Sequence, residues 1–315
     1  MKLLVSFALV LLISIAVWLF TNTPNHHPVR AEPFPIPAVT PDEAIVASQL
    51  SINQLLKIKW GVVPEAPFHI TQGPDQNNGI CDVLLQRLAV HLPDVRQERL
   101  IDSHANIRLR MQQQQQVCFP CTLYQPEKAA AQGRIYSEPT HFYRPHGIVV
   151  KQTNVQAFTQ KFGDPIDLNK LLSSGYQFSF LPARRFGELQ PIIDNYPNNF
   201  KKIADLKSTQ EIFRMVDQAI LDFTIDYQSA LIYYNRSEQH QLAFIPIAGQ
   251  PALLAGAISC PDSNWGQLAI IRINKVIETL RQDPRLLENL RFWQGQELPA
   301  YQSSPSADIA PAQSP

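Results

Sequence analysis

The strongest constraint on how this chain can fold is a repeated switch between two hydrophobic periods along its body, residues 40–301. Leu56, Ile58 and Trp60 alternate with Lys57 and Lys59, the period of two that suits a half-buried strand. Ile80, Val83, Leu84, Leu88 and Leu92 then recur at the spacing of one helix face. Ser103 caps a second helix through Ile107 and Met111, and Val117-Cys118-Phe119 reads as a short buried strand. A helix is expected from Pro126 to Gln132, ending at Gly133. A second series opens with strand-like 147–152 and a helix closed at Gly175. It continues with 176–181 as a strand and a helix from Ala183. Ser208 and Glu211 form a capping box for a helix through Ile212, Val216 and Ile220. Residues 221–227, 242–247 and 253–259 read as strands, and Asp262 as the cap of a long terminal helix. Strands separated by helical stretches predict an α/β fold with largely parallel sheets. No repeat is visible, and the five glutamines at 112–116 are expected on an exposed helix face.

The flanks are different in kind. Residues 3–20 form an uncharged, strongly apolar run of 18, the threshold length for crossing a bilayer. Two readings follow. Residues 1–31 are either a signal peptide cut after Ala31 or an N-terminal anchor with its positive end in the cytoplasm. Both place the rest of the chain beyond the cytoplasmic membrane, in the periplasm. Residues 32–49 read as a Pro-rich linker and a short helix, opened by Thr40-Pro41-Asp42-Glu43. His26-His27 lies on the spacer side of this region, a poor setting for a metal ligand pair. Residues 302–315 have the composition of a disordered tail.

Composition excludes several classes. With 27 basic and 27 acidic side chains the formal net charge is zero, which argues against nucleic-acid binding. At 45% hydrophobic residues the chain is not globally disordered. Among its 12 glycines there is no P-loop and no G-x-G-x-x-G, and no G-x-S-x-G or H-E-x-x-H occurs either. No cofactor or metal is expected. Asp222 and Asp226 share a strand face, but about 13 Å apart at roughly 3.3 Å per residue, too far for a paired acid and base. Four cysteines, Cys81, Cys118, Cys121 and Cys260, permit three disulfide pairings in an exported protein. Cys118-Phe119-Pro120-Cys121 also has the C-x-P-C spacing of thioredoxins. Pro126 starts the next helix too late to lower the thiol pKa, so structural pairing outweighs redox chemistry.

Several segments stand out in a fixed order: Trp60 with Pro64-Glu65-Ala66-Pro67-Phe68, Gly73-Pro74, Gly79-Ile80-Cys81-Asp82, and Val117-Cys118 followed by Gln125-Pro126-Glu127-Lys128. Further along come Arg184-Arg185-Phe186-Gly187, Ile220 to Tyr227, Cys260 to Gly266, and Ile273-Asn274. Together they resemble family 3 extracellular solute-binding proteins, in an uncharacterised branch of the periplasmic-binding-protein-like II superfamily. The likeness spans about residues 50–295. It implies an α/β, two-lobed type II periplasmic-binding fold with two hinge-crossing strands, near 147–151 and 253–259. Lobe 1 would comprise 50–146 plus 258–301, and lobe 2 would comprise 147–257.

The resemblance also implies a ligand site. Family members grip an amino acid carboxylate with an Arg after a T-x-x-R turn; here that turn reads Gln125-Pro126-Glu127-Lys128, and Lys lacks the guanidinium fork. Trp60 and Phe68 fit the aromatic that packs on the ligand, or else are core. Asp226 is the nearest candidate for holding an ammonium. Arg184 and Arg185 are candidates for anion contacts from lobe 2, or a surface pair. The function implied is an extracytoplasmic protein that closes on a small polar ligand, amino acid-like or an organic anion. An ABC transporter permease of the inner membrane is the implied partner. The alternatives are a membrane-tethered sensor domain, or a thiol-disulfide oxidoreductase using Cys118 and Cys121.

Overall fold

The structure is a computed structural model, and it describes residues 57–182, 184–237 and 241–295. The apolar segment 3–20, the helix start at 40–43 and the tail 302–315 lie outside the described residues.

Two sheets organise the chain. The first is built by β1 (Lys57–Val62), β2 (Arg96–Ile101), β3 (Val117–Leu123), β4 (Arg134–Tyr136), β5 (His141–Tyr143) and β9 (Leu254–Pro261). Its order is β2-β1-β3-β9-β4, with β5 also pairing to β9. The second consists of β6 (His146–Lys151), β7 (Thr224–Tyr227) and β8 (Leu242–Pro246), in the order β7-β6-β8. Among the described strands β1 pairs in parallel with β2 and β3, and the other ladders are antiparallel. The expected parallel sheets are therefore mixed sheets. Strand order came from long returns of the chain, to which hydrophobic period is blind.

Each sheet has apolar side chains on both faces, as the alternation of its strands requires. In β1 the lysines stay exposed while Ile58 and Trp60 are buried. They meet α1 (Ile80–His91), α8 (Asn264–Arg281) and α9 (Pro284–Gln294) in one large core. On the opposite face α2 (His104–Gln112) brings Ile107 against Gly61, where a Cβ would stand 2.8 Å from Ile107 Cγ2. In β6, Ile148 and Val150 join a core with α3 (Val155–Phe162) and α4 (Leu168–Leu172). Val149 points the other way, to α6 (Thr209–Asp217) and α7 (Gln228–Ser237).

Most caps fall where the sequence puts them. Ser103 Oγ accepts from Asn106 N–H at 3.2 Å, and Ser208 Oγ accepts from Glu211 N–H at 3.3 Å. The long helix α8 is capped one residue later than expected, by Ser263, whose Oγ accepts from Gly266 N–H. The helix expected over residues 126–132 is replaced by two short 3-10 turns, Pro126–Lys128 and Ala130–Gln132, closed by the left-handed Gly133. The strand expected at 176–181 reduces to isolated bridges from Phe178 to Phe200 and Phe223. No helix begins at residue 184; a 3-10 turn follows at Gly187–Leu189 and then α5 (Gln190–Asp194). The glutamines 113–116 follow the end of α2 and are exposed.

The chain leaves the first sheet between Tyr143 and His146 and returns between Pro246 and Leu254. Residues 254–257, assigned to the second lobe from the sequence, pair with β3 and β5 in the first sheet.

Candidate functional site

Strand β1 has parallel neighbours on both sides, so the strand order reverses there and a crevice opens beyond its carboxyl end. The loop leaving β1 carries Glu65, Phe68 and His69 into that crevice. Asp82 shapes it: one carboxylate oxygen accepts from Ile70 N–H at 2.8 Å, the other from His69 Nδ1 at 2.9 Å. Gly79 lets α1 approach, because a Cβ there would stand 2.4 Å from the Phe68 carbonyl.

Facing this loop, Arg184 reaches across from the second sheet's side of the crevice. Its Nη1 donates to Glu65 Oε1 at 2.7 Å and to Asp226 Oδ2 at 2.8 Å, and its Nη2 donates to Asp226 Oδ1 at 2.7 Å. Asp226, on β7, also accepts from the Tyr227 N–H at 2.6 Å. On the other side His104 Nε2 donates to Glu65 Oε2 at 2.9 Å. Burial would raise the Glu65 carboxyl, but Arg184 and His104 outweigh it and hold the pKa at about 2. Burial dominates at Asp226 and pushes it up to about 6, with Arg184 opposing the shift. Both carboxylates are ionised at neutral pH. Burial works against the Arg184 charge, yet the two acids more than compensate, and its pKa is raised.

Aromatic rings complete this end of the crevice. Phe68, Tyr143 and Tyr227 lie with centroids 5.3–5.7 Å apart. The imidazole of His146 lies 3.9 Å from the Tyr227 ring, and burial lowers its pKa far below the usual value. His141 stands edge-on to Tyr143 at 4.5 Å, and burial holds it near pKa 3, so it is neutral.

The crevice encloses a cavity of about 660 Å³ whose walls come from the loops of both sheets. Of the residues expected at a site, Phe68, Lys128, Arg184 and Arg185 line it. Lys128 bonds Glu188 across the gap at 2.7 Å, and Arg185 donates to the Arg184 carbonyl. Asp226 lies behind Arg184, where the guanidinium fork already uses both its oxygens. Trp60 is not on the wall. The alternation of β1 turns it inward with Ile58 and Val62, 1% exposed, and its Nε1–H is satisfied by Gln97 at 2.9 Å.

Sequence reasoning missed Glu65, His104, Arg108, Arg134, Tyr143 and Tyr227 as wall residues. Glu65 and Tyr227 stand inside segments that were singled out, beside the residues chosen. For Arg108 and Arg134 no local signal exists, since only tertiary folding brings α2, β4 and the segment around Arg185 to one cavity.

The cysteines pair as Cys81–Cys121 and Cys118–Cys260. Cys118 and Cys121 are therefore bound to different partners, and no C-x-P-C dithiol exists for redox exchange. Among the described residues no cluster of three His, Cys, Asp or Glu is placed to hold a metal ion.

A cleft between two α/β lobes, entered at a strand-order reversal, defines the class of fold: the two-lobed type II periplasmic-binding-protein fold. An amino acid ABC transporter substrate-binding protein from Streptococcus pneumoniae, bound to L-arginine, superposes with TM-score 0.60. The two are 17% identical, with 79% of this chain and 98% of that one covered. The periplasmic VFT2 domain of Bordetella pertussis BvgS matches at TM-score 0.57 and 17% identity, covering 79% and 97%. A histidine kinase sensor domain with similarity to periplasmic binding proteins matches at TM-score 0.58 and 13% identity, covering 77% and 97%. No protein-family model matches the chain, and no curated protein matches it.

Proposed function

We propose that this chain is an extracytoplasmic solute-binding protein of the family 3 type that closes on a small polar ligand, amino acid-like or an organic anion. The observation that carries this reading is the 660 Å³ cavity with walls from both sheets and Glu65–Arg184 spanning it. Lobe 1 is then 50–146 plus 258–301, extended by the first residues of β9, and lobe 2 is the rest of 147–257. Hinge closure about the two connections delivers the signal or the cargo. The protein works in the periplasm, exported by its 3–20 segment, and hands its ligand to an inner-membrane ABC permease.

A second reading, a membrane-tethered sensor domain, is favoured by the Glu65–Arg184 pair, which bridges the cleft with the chain's own carboxylate. Intact mass of the mature chain separates the two, since the sensor keeps residues 3–20 as its anchor. Binding itself is tested by thermal shift against amino acids, small peptides and organic acids. A ligand at 100 times its Kd should add about 2.7 kcal/mol of stability. No stabilisation by any compound near millimolar would overturn the binding reading.

A further inference from the structure

The loop after β1 holds Glu65 out to the far wall of the cleft. Its backbone carbonyl accepts from Phe68 N–H at 2.8 Å and His69 N–H at 3.0 Å, so the residue heads a closed turn. From there one carboxylate oxygen meets Arg184 Nη1 at 2.7 Å and Thr209 Oγ1 at 3.5 Å, both on the second sheet's side. The other oxygen accepts from His104, at the start of α2 on the first sheet's side, at 2.9 Å. The receiving groups are held in place without Glu65. Asp226 grips the Arg184 guanidinium with both oxygens, and Thr209 Oγ1 accepts from Arg184 Nη1 at 3.3 Å. The ring centroids of Phe186 and Tyr227 stand 5.7 and 5.6 Å from Arg184 Cζ. A further pair across the cleft, Lys128–Glu188, is 41% and 71% exposed, and ion pairs so exposed contribute little. The Glu65 and Arg184 side chains are 10% and 7% exposed, and their pair is screened far less.

Resting on the reading of a cleft that closes on a solute, we infer that Glu65 is a built-in ligand. It fills a carboxylate cradle made by Arg184, Thr209 and His104, and it latches the cleft shut when no solute is present. A carboxylate-bearing solute enters the cradle by displacing it. Arg184 and Asp226 cancel each other in charge, so Glu65 is the surplus carboxylate of the network. Another carboxylate takes its place with no change in net charge and with the same donors, each hydrogen bond strengthened by the charge it carries. The tether also sets a threshold. A group held on a short loop meets its cradle at an effective concentration of the order of millimolar. A bare carboxylate competes poorly with that, and a solute that also lies on Phe68, Tyr143 and Tyr227 along the cavity wall competes well. The latch thus rejects small acids and yields to a solute that uses the rest of the cavity.

The test is the distance between spin labels placed on Gln113→Cys and Asn195→Cys in the full chain, read by pulsed electron paramagnetic resonance. Both positions are exposed, and they adjoin the lining residues Gln112 and Asp194 on opposite sides of the cleft. The four native cysteines are bound in disulfides, so only the introduced thiols take label. Without solute the labelled chain should give one short distance. Glu65→Ala should lengthen it. Acetate, which matches the deleted methylene and carboxylate, should then restore the short distance, whereas neutral acetamide should not. By calorimetry Glu65→Ala should bind acetate about tenfold or more tightly than the unsubstituted chain does. Glu65→Gln keeps the side chain's shape without its charge, and it should lengthen the distance even where Glu65→Ala fails to fold. A long distance in the solute-free chain with Glu65 in place overturns the inference, while the binding reading stands if a compound of the thermal-shift screen shortens it. A short distance that survives both Glu65 substitutions also overturns it, because some other contact would then hold the cleft shut. If no compound stabilises the chain, the binding reading fails by itself, since the solute-free distances decide the latch.

Discussion

Arg184 holds two carboxylates from opposite sides of the cleft with one guanidinium, and it is only 6% exposed. Such a group is costly to disturb, because removing one partner of a buried ion pair leaves an uncompensated charge. Arg184→Met should lower stability by about 3–5 kcal/mol, read from urea unfolding midpoints. Arg184→Lys should recover only part of this, since a point charge cannot bridge both acids as the fork does. A loss below about 1 kcal/mol in Arg184→Met would show that water reaches the acids and screens them. The sequence offered Arg184-Arg185 as an adjacent pair without saying which faced inward. It offered Asp226 as a ligand group, and the fold instead makes it the counter-charge of Arg184.

At the scale of elements, the two disulfides fasten pieces that hydrophobic period alone leaves adjustable. Cys81–Cys121 ties the start of α1 to β3, closing 40 residues, and Cys118–Cys260 ties β3 to β9, closing 142. By loop-closure entropy these are worth about 4 and about 5 kcal/mol, as upper values. Replacing Cys118 and Cys260 together by Ala should therefore cost about 2–5 kcal/mol by chemical denaturation. Peptide mapping without reduction should yield the two crosslinked pairs, and a Cys118–Cys121 link would contradict the structure. An even count of four cysteines announced disulfides, but three pairings were open. The choice among them was made by sheet order, which sets β3 beside β9 and beneath α1. The caps were legible because they depend on neighbours three residues away. That no regular strand forms at 176–181 was not legible, because pairing depends on partners more than 20 residues distant, Phe200 and Phe223.

Over the whole molecule, buried imidazoles set the response to acid. Burial first of all lowers His69, His141 and His146, with His141 near 3 against an ordinary 6.5. A histidine neutral in the fold takes its proton only on unfolding, so its contribution is present above pH 6.5 and lost as pH falls. Each such group costs about 1.4 kcal/mol per pH unit across that window. Asp226, raised to about 6, acts oppositely and adds stability as pH falls from about 6 toward 3.8. Glu65, lowered to about 2, loses its contribution below pH 4.5. The histidines outnumber Asp226, so stability should be lower at pH 5 than at pH 7.5, read by urea titration at the two values. His141→Asn should flatten the slope, and a midpoint unchanged between the two pH values would refute the assignment.

The sequence by itself determined the alternation of strands and helices and several helix starts, properties that are local, written in periods of two and 3.6 residues and in caps a few residues long. The two-lobed type of fold was implied only by the resemblance of its segments to solute-binding proteins. Tertiary structure alone decided the sheet order, the disulfide pairing and the composition of the cleft. Glu65, Arg108, Arg134, Arg184 and Asp226 are scattered over more than 160 positions. Their charges acquire meaning only at the distances the fold imposes, because electrostatic interaction depends on separation in space and burial, neither of which a linear sequence contains.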